Sequence, residues 1–139
     1  MHVQHSVHIG RPVQEVSSTL LASPSRFVPR SVGLHVAGIP LRKRVQLLIG
    51  EPERTSTWAA IPIWWQPTFG RKLLPVMNGK MELFPVTQDE TRLTVSGMYE
   101  PPLGKLGEQL DRALMHNVAE GTVKELAETI AKRLEKTGR

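Results

Sequence analysis

The chain has 139 residues, no cysteine and a formal charge of +5. Its length predicts one domain over 1–139, burying roughly two thirds of its unfolded surface around a real core. The missing cysteines exclude a disulfide framework, a thiolate nucleophile and a cysteine–metal site. The excess charge collects in Arg42-Lys43-Arg44, Arg71-Lys72 and the tail from Lys132 to Arg139. It reads as solvated surface, because a nucleic-acid face would interleave basic residues with exposed aromatics on one element. No nucleic-acid partner is therefore expected. No apolar run approaches the roughly 20 residues of a membrane span, so no integral membrane contact is expected. The stretch Met1 to His8 lacks the basic-then-apolar order of a signal peptide. A cytoplasmic location fits these features, as other compartments would.

In chain order, Val3, His5, Val7 and Ile9 alternate with His2, Gln4, Ser6 and His8, which predicts a first strand. His2 and His8 then share one face and His5 takes the other, so the three cannot converge on a metal. Gly10-Arg11-Pro12 ends the strand. Pro12 suits a first helical position, and Glu15 falls in the first turn, where the helix dipole favours an acid. A helix is expected over 12–21. Ser23-Pro24 starts a second short helix, with Ser23 as its cap, ending near Pro29.

Val32, Leu34 and Val36 form one face of a second strand. Gly38-Ile39-Pro40 reads as a turn, Val45, Leu47 and Ile49 as a third strand, and Glu51-Pro52-Glu53 as the next turn. In the stretch 55–66, Ala59, Ile61, Ile63 and Trp65 alternate with Trp58, Ala60, Pro62 and Trp64. Pro62 implies a bulge or an edge position. Asn78-Gly79 is the strongest two-residue hairpin signal in the chain and is expected to join a short strand before it to Lys80–Val86 after it. Gln88-Asp89-Glu90 is a polar turn into a last strand. There Leu93, Val95, Gly97 and Tyr99 alternate with Arg92, Thr94, Ser96 and Met98.

Pro101-Pro102 stops that strand, because neither residue has an N–H to continue a ladder. The period then changes: Leu110, Leu114, Val118, Thr122, Leu126, Ile130 and Leu134 stand four apart. Leu106, Ala113, Val123, Ala127 and Ala131 widen the stripe, while Arg112, Lys124, Glu128, Lys132 and Glu135 fall largely outside it. This is a helix with one buried face. At about 27 residues it would be roughly 40 Å long, enough to cross a small domain.

The string Gly97 to Gly104, with Gly107, Leu110-Asp111-Arg112, Met115-His116 and Val118-Ala119-Glu120, resembles the C-terminal signature of bacterial SRPBCC proteins. These are the START-related, birch-pollen-allergen-like superfamily. The resemblance implies an α+β helix-grip fold. In it, a curved antiparallel sheet of six or seven strands wraps a long C-terminal helix, with two short helices after the first strand. An apolar cavity would lie between sheet and helix. Members range from lipid carriers to polyketide cyclases. The order β, α, α, several β, α, reached from pattern alone, agrees with it.

The residues expected to line the cavity are Ile61, Ile63, Trp65, Met81, Leu83, Leu93, Val95, Tyr99, Leu110, Leu114 and Val118. The inward ionisable candidates are His5, Tyr99 and Glu51, and none is assigned a catalytic role. His116 and Glu120, four apart, read as a rim pair beside the apolar stripe. No Gly-x-Ser-x-Gly is present, and Gly104 and Gly107 lead to Glu108, not to the Lys-Ser or Lys-Thr of a phosphate loop. No cofactor is expected. Trp65 is placed inward, as core or as a wall that stacks on a ligand. Trp58 and Trp64 are placed outward, where an aromatic pair would mark an interface. Three readings follow: binding of a hydrophobic small molecule or lipid, a cyclase-like enzyme, or an interaction module of the quinone-binding or ribosome-associated kind. A homodimer is compatible with each.

Overall fold

The computed structural model describes residues 2–29, 31–36, 39–54, 58–67, 76–100 and 112–136. Strand β1 (His2–Ile9) comes first, then helices α1 (Val13–Ala22) and α2 (Pro24–Phe27). Six strands follow: β2 (Ser31–Val36), β3 (Ile39–Ile49), β4 (Glu53–Arg54), β5 (Ala59–Pro67), β6 (Val76–Thr87) and β7 (Glu90–Glu100). Helix α3 (Arg112–Lys136) ends the described chain. The curved sheet is antiparallel throughout and runs β1-β7-β6-β5-β3-β2, with β4 on β5 beside the end of β3.

The alternation read from β1 holds. Val3 and Ile9 are buried, His5 and Val7 are half-buried, and His2, Gln4, Ser6 and His8 face water. Pro12 is the residue before α1, not its first helical position. Its ψ of 144° is extended, and its carbonyl accepts the Val16 N–H at 3.0 Å. Ser23 precedes α2 but its side chain makes no capping hydrogen bond there.

Three local expectations change, and one, the edge position of Pro62, takes a definite form. First, Ile39 and Pro40 belong to β3, with Pro40 opposite His35. Pro40 is tolerated outside the segment Val45–Ile49, where β3 pairs with β5. Second, Glu53 is not a turn residue: with Arg54 it forms β4, opposite Ala60 and Ala59. Third, Pro62 sits where β3 hands over to β4 along the edge of β5. The Gly50 N–H donates to its carbonyl at 2.9 Å. A strand residue points N–H and C=O to the same side, so the missing donor faces the place where the neighbouring chain leaves the sheet.

Fourth, Asn78-Gly79 is no hairpin. β6 runs straight through it, with Gly79 between Ile63 of β5 and Gly97 of β7. A Cβ at Gly79 would collide with the Ser96 carbonyl oxygen and come within 2.8 Å of the Gly97 Cα. The glycine serves a close approach of two backbones. The real two-residue turn is Gln88-Asp89: Thr87 pairs with Glu90, and the Asp89 N–H donates to Thr87 Oγ1 at 3.3 Å.

Helix α3 rests on β1 and β7 at one edge of the sheet and on β2 at the other, and α1 packs on β6, β7 and α3. Its stripe is buried: Val118, Thr122, Leu126, Ile130 and Leu134, widened by Ala119, Val123, Ala127 and Ala131. A corner fastens its last turn. Arg11 Nη1 donates to the Leu134 carbonyl at 2.6 Å, the Gly10 N–H donates to Glu135 Oε1 at 3.0 Å, and Thr91 Oγ1 donates to the Arg11 carbonyl at 2.7 Å. Among the described residues, no helix is long and apolar enough to cross a membrane.

Candidate functional site: the inner face of the sheet

The pleat sends every second side chain of β5, β6 and β7 toward α3. Ala59, Ile61, Ile63 and Trp65 of β5 are buried there, with Met77, Met81 and Leu83 of β6 and Leu93, Val95 and Tyr99 of β7. Val118 approaches from the helix and is also buried. Nine of the residues expected to line a cavity thus lie on one apolar interior. Leu110 lies outside the described residues, and Leu114 is placed only by its position in α3.

Register orders this interior into rows. Trp65, Met77 and Tyr99 stand side by side across three strands, and so do Ile61, Met81 and Val95. Between these rows lie Gly79 and Gly97, adjacent and without side chains. Met77 covers Gly97, its sulfur 3.5 Å from where a Cβ there would stand. Most of the interior is fully buried; Trp65 and Val118 at 4% exposure and Tyr99 at 2% retain a little accessible surface. The helix brings His116 to the Tyr99 end of the Trp65–Met77–Tyr99 row.

One polar chain enters at that point. Tyr99 Oη lies 3.3 Å from His116 Nδ1, and His116 Nε2 lies 2.9 Å from Glu120 Oε1. The two rings are tilted by 45° with centroids 6.2 Å apart. A carboxylate only accepts, so the imidazole hydrogen belongs on Nε2, leaving Nδ1 to accept from the tyrosine hydroxyl. Burial raises the Tyr99 pKa above its ordinary value of 10.0, and the Glu120 charge adds to the rise. Sequence reasoning placed Tyr99 inward and paired His116 with Glu120 but did not join them. The available signal was that a buried tyrosine hydroxyl needs a partner, and α3 faces β7.

The other inward candidates lie elsewhere. Glu51 is exposed in the loop after β3, because the chain leaves the sheet at Gly50. His5 is half-buried at the margin of β1 and α3, with Nε2 3.9 Å from Glu128 Oε1. Among the described residues, no group of three His, Cys, Asp or Glu side chains is placed to hold a metal. Trp64 is 41% exposed on the outer face, opposite Leu48 at 54%. Trp58 precedes β5 and is half-buried, so the expected outer pair is one exposed tryptophan and one partly covered.

No protein-family model matches the chain, and no curated protein matches it. Solved structures do. The Zhui aromatase/cyclase from Streptomyces sp. R1128 aligns at a TM-score of 0.59 and 14% identity, covering 100% of this chain and 96% of that one. A conserved protein from Geobacillus kaustophilus aligns at 0.61 and 17%, covering 99% and 97%. Ara h 8.0201 aligns at 0.56 and 10%, covering 99% of each. At such identities the likeness establishes architecture alone. The curved sheet gripping α3, with two short helices after the first strand, is the helix-grip fold.

Proposed function

We propose that the chain, as a single domain over 1–139, binds a hydrophobic small molecule or lipid between the inner face of its sheet and α3. One observation carries this reading: a continuous uncharged inner face in which the Trp65–Met77–Tyr99 row lies beside two residues without side chains, Gly79 and Gly97. Ile61, Ile63, Met81, Leu83, Leu93, Val95 and Val118 complete the wall, and Leu110 and Leu114 extend it on the sequence pattern. A ligand laid there desolvates few polar groups, and apolar burial yields roughly 25 cal/mol per Å². Association costs several kcal/mol in return, so micromolar affinity is expected. The wall is nearly closed, so uptake requires side chains to move. Met77 and Met81 suit that task, being unbranched and adaptable. Native mass spectrometry of the freshly purified chain tests the reading. A bound apolar molecule, lost on denaturation, supports it, and bare protein that also fails to take up added apolar probes opposes it.

A second reading draws on the Tyr99–His116–Glu120 chain. A phenol hydrogen-bonded to an imidazole that is oriented by a carboxylate is equipped for proton transfer. The corresponding activity would be a cyclase-like or dehydratase-like reaction on a polyketide. Replacing Tyr99 by Phe would then leave binding intact and abolish turnover, whereas under the binding reading no turnover exists to lose.

A further inference from the structure

We propose that the polar end of this site selects an uncharged ligand head, such as a hydroxyl or a carbonyl, over a carboxylate on the same skeleton, and that Glu120 enforces the choice. The inference rests on the ligand-binding reading above and names the class of ligand it takes.

The direction of the hydrogen bonds comes first. Glu120 Oε1 accepts from His116 Nε2 at 2.9 Å, and His116 Nδ1 accepts from the Tyr99 hydroxyl at 3.3 Å. Both donors point toward Glu120. An anionic head placed beside Tyr99 needs donors aimed at itself, and the tyrosine proton is directed the other way. Charge acts in the same sense. The carboxylate that ends the chain is the charge nearest this row among the contacts described, and the described inward residues of β5, β6 and β7 carry no cation. A ligand carboxylate would be a second negative charge beside that of Glu120, with no cation facing it among the described inward residues. Tyr99 already registers this environment, since burial and the Glu120 charge both favour its protonated, neutral form. A neutral hydroxyl escapes both penalties, because it can donate or accept as the site requires.

The rival explanation is that any apolar interior disfavours a carboxylate. Substituting Glu120 separates the two. Its side chain is 57% exposed, so Glu120→Gln can be made without disturbing the core, and it removes the charge while keeping an acceptor for His116.

The test is a titration of the full-length chain with naphthol and with naphthoate, which share a ring system, at neutral pH. Naphthol is expected to bind at least about tenfold more tightly, from a like charge within several ångströms at an effective dielectric near 20 and damped by solvent. In Glu120→Gln that ratio should fall by about threefold or more, mainly through tighter naphthoate binding. Glu128→Gln, which alters an acid on the same helix beside His5, should keep the parental ratio. Equal affinity for the two probes, or a ratio that Glu120→Gln leaves unchanged, would overturn this inference and leave the binding reading standing. Saturation by neither probe would overturn both.

Discussion

The hydroxyl of Tyr99 lies 3.3 Å from Nδ1 of His116, joining the end of the last strand to the C-terminal helix across the site. Tyr99 is the one tyrosine in the chain, so its ionisation can be read directly from the ultraviolet absorbance of tyrosinate. Burial, and secondarily the Glu120 charge, place its pKa above 10.0. The folded state thus holds this proton more tightly than the unfolded state does. Its contribution to stability is present below pH 10 and is lost as pH climbs from there toward the raised folded value. Spectrophotometric titration should find the midpoint above 10.0, lowered in part by Glu120→Gln. A midpoint at or below the ordinary value would contradict the placement of Tyr99.

The two inner-face glycines should respond differently to substitution. A Cβ at Gly97 meets ordinary contacts, 3.5 Å from the Asn78 carbonyl oxygen and from the Met77 sulfur. At Gly79 a Cβ collides with backbone, which cannot swing aside. Gly79→Ala should cost about 1–3 kcal/mol, as overpacking does, while Gly97→Ala should lie within about 0.5 kcal/mol of the parent. Urea unfolding of both variants checks this, and equal losses would show that the β6–β7 approach is not the constraint.

Much of the architecture was legible because burial imposes a period. The two-residue alternation of β1, β5 and β7 and the stripe from Val118 to Leu134 each placed the right residues inside. Turn chemistry misled where tertiary context outweighed it. Asn78-Gly79 carries a hairpin signature, yet the glycine is needed for the approach to Ser96 and Gly97, neighbours that the local sequence does not reveal. Glu53 and Pro40 read as turn residues because a two-residue strand and a proline outside the β5-paired segment leave no periodic trace. The apolar wall followed from alternation, whereas the link from Tyr99 to His116 spans separate elements and needed the register of β7 against the helix.

The corner that holds the end of α3 should matter to stability out of proportion to its size. Arg11 is largely buried, spans 2.6 Å to the Leu134 carbonyl and lies 3.6 Å from Glu15. It supplies a charged donor to the carbonyls at the negative end of the helix. Arg11→Ala should destabilise the fold by about 1–3 kcal/mol, mostly by leaving that carbonyl without this donor. Glu135→Gln, whose oxygen can still accept the Gly10 N–H, should cost about 0.5 kcal/mol or less. Thermal unfolding of the two variants decides it, and a neutral Arg11→Ala would show that the helix end is held by its apolar stripe alone.

The account rests on the interior taking up an apolar molecule, and a fluorescence titration with a naphthalene-type dye tests that most directly. Trp65 lies on the wall, so its emission should change saturably, with a dissociation constant in the micromolar range. The change should vanish in Trp65→Phe. Ile63→Ala, which widens the same strand face, should shift the affinity more than Lys132→Ala, on the solvent side of α3. A signal that never saturates with any apolar probe, or one untouched by Trp65→Phe and Ile63→Ala, would contradict the account.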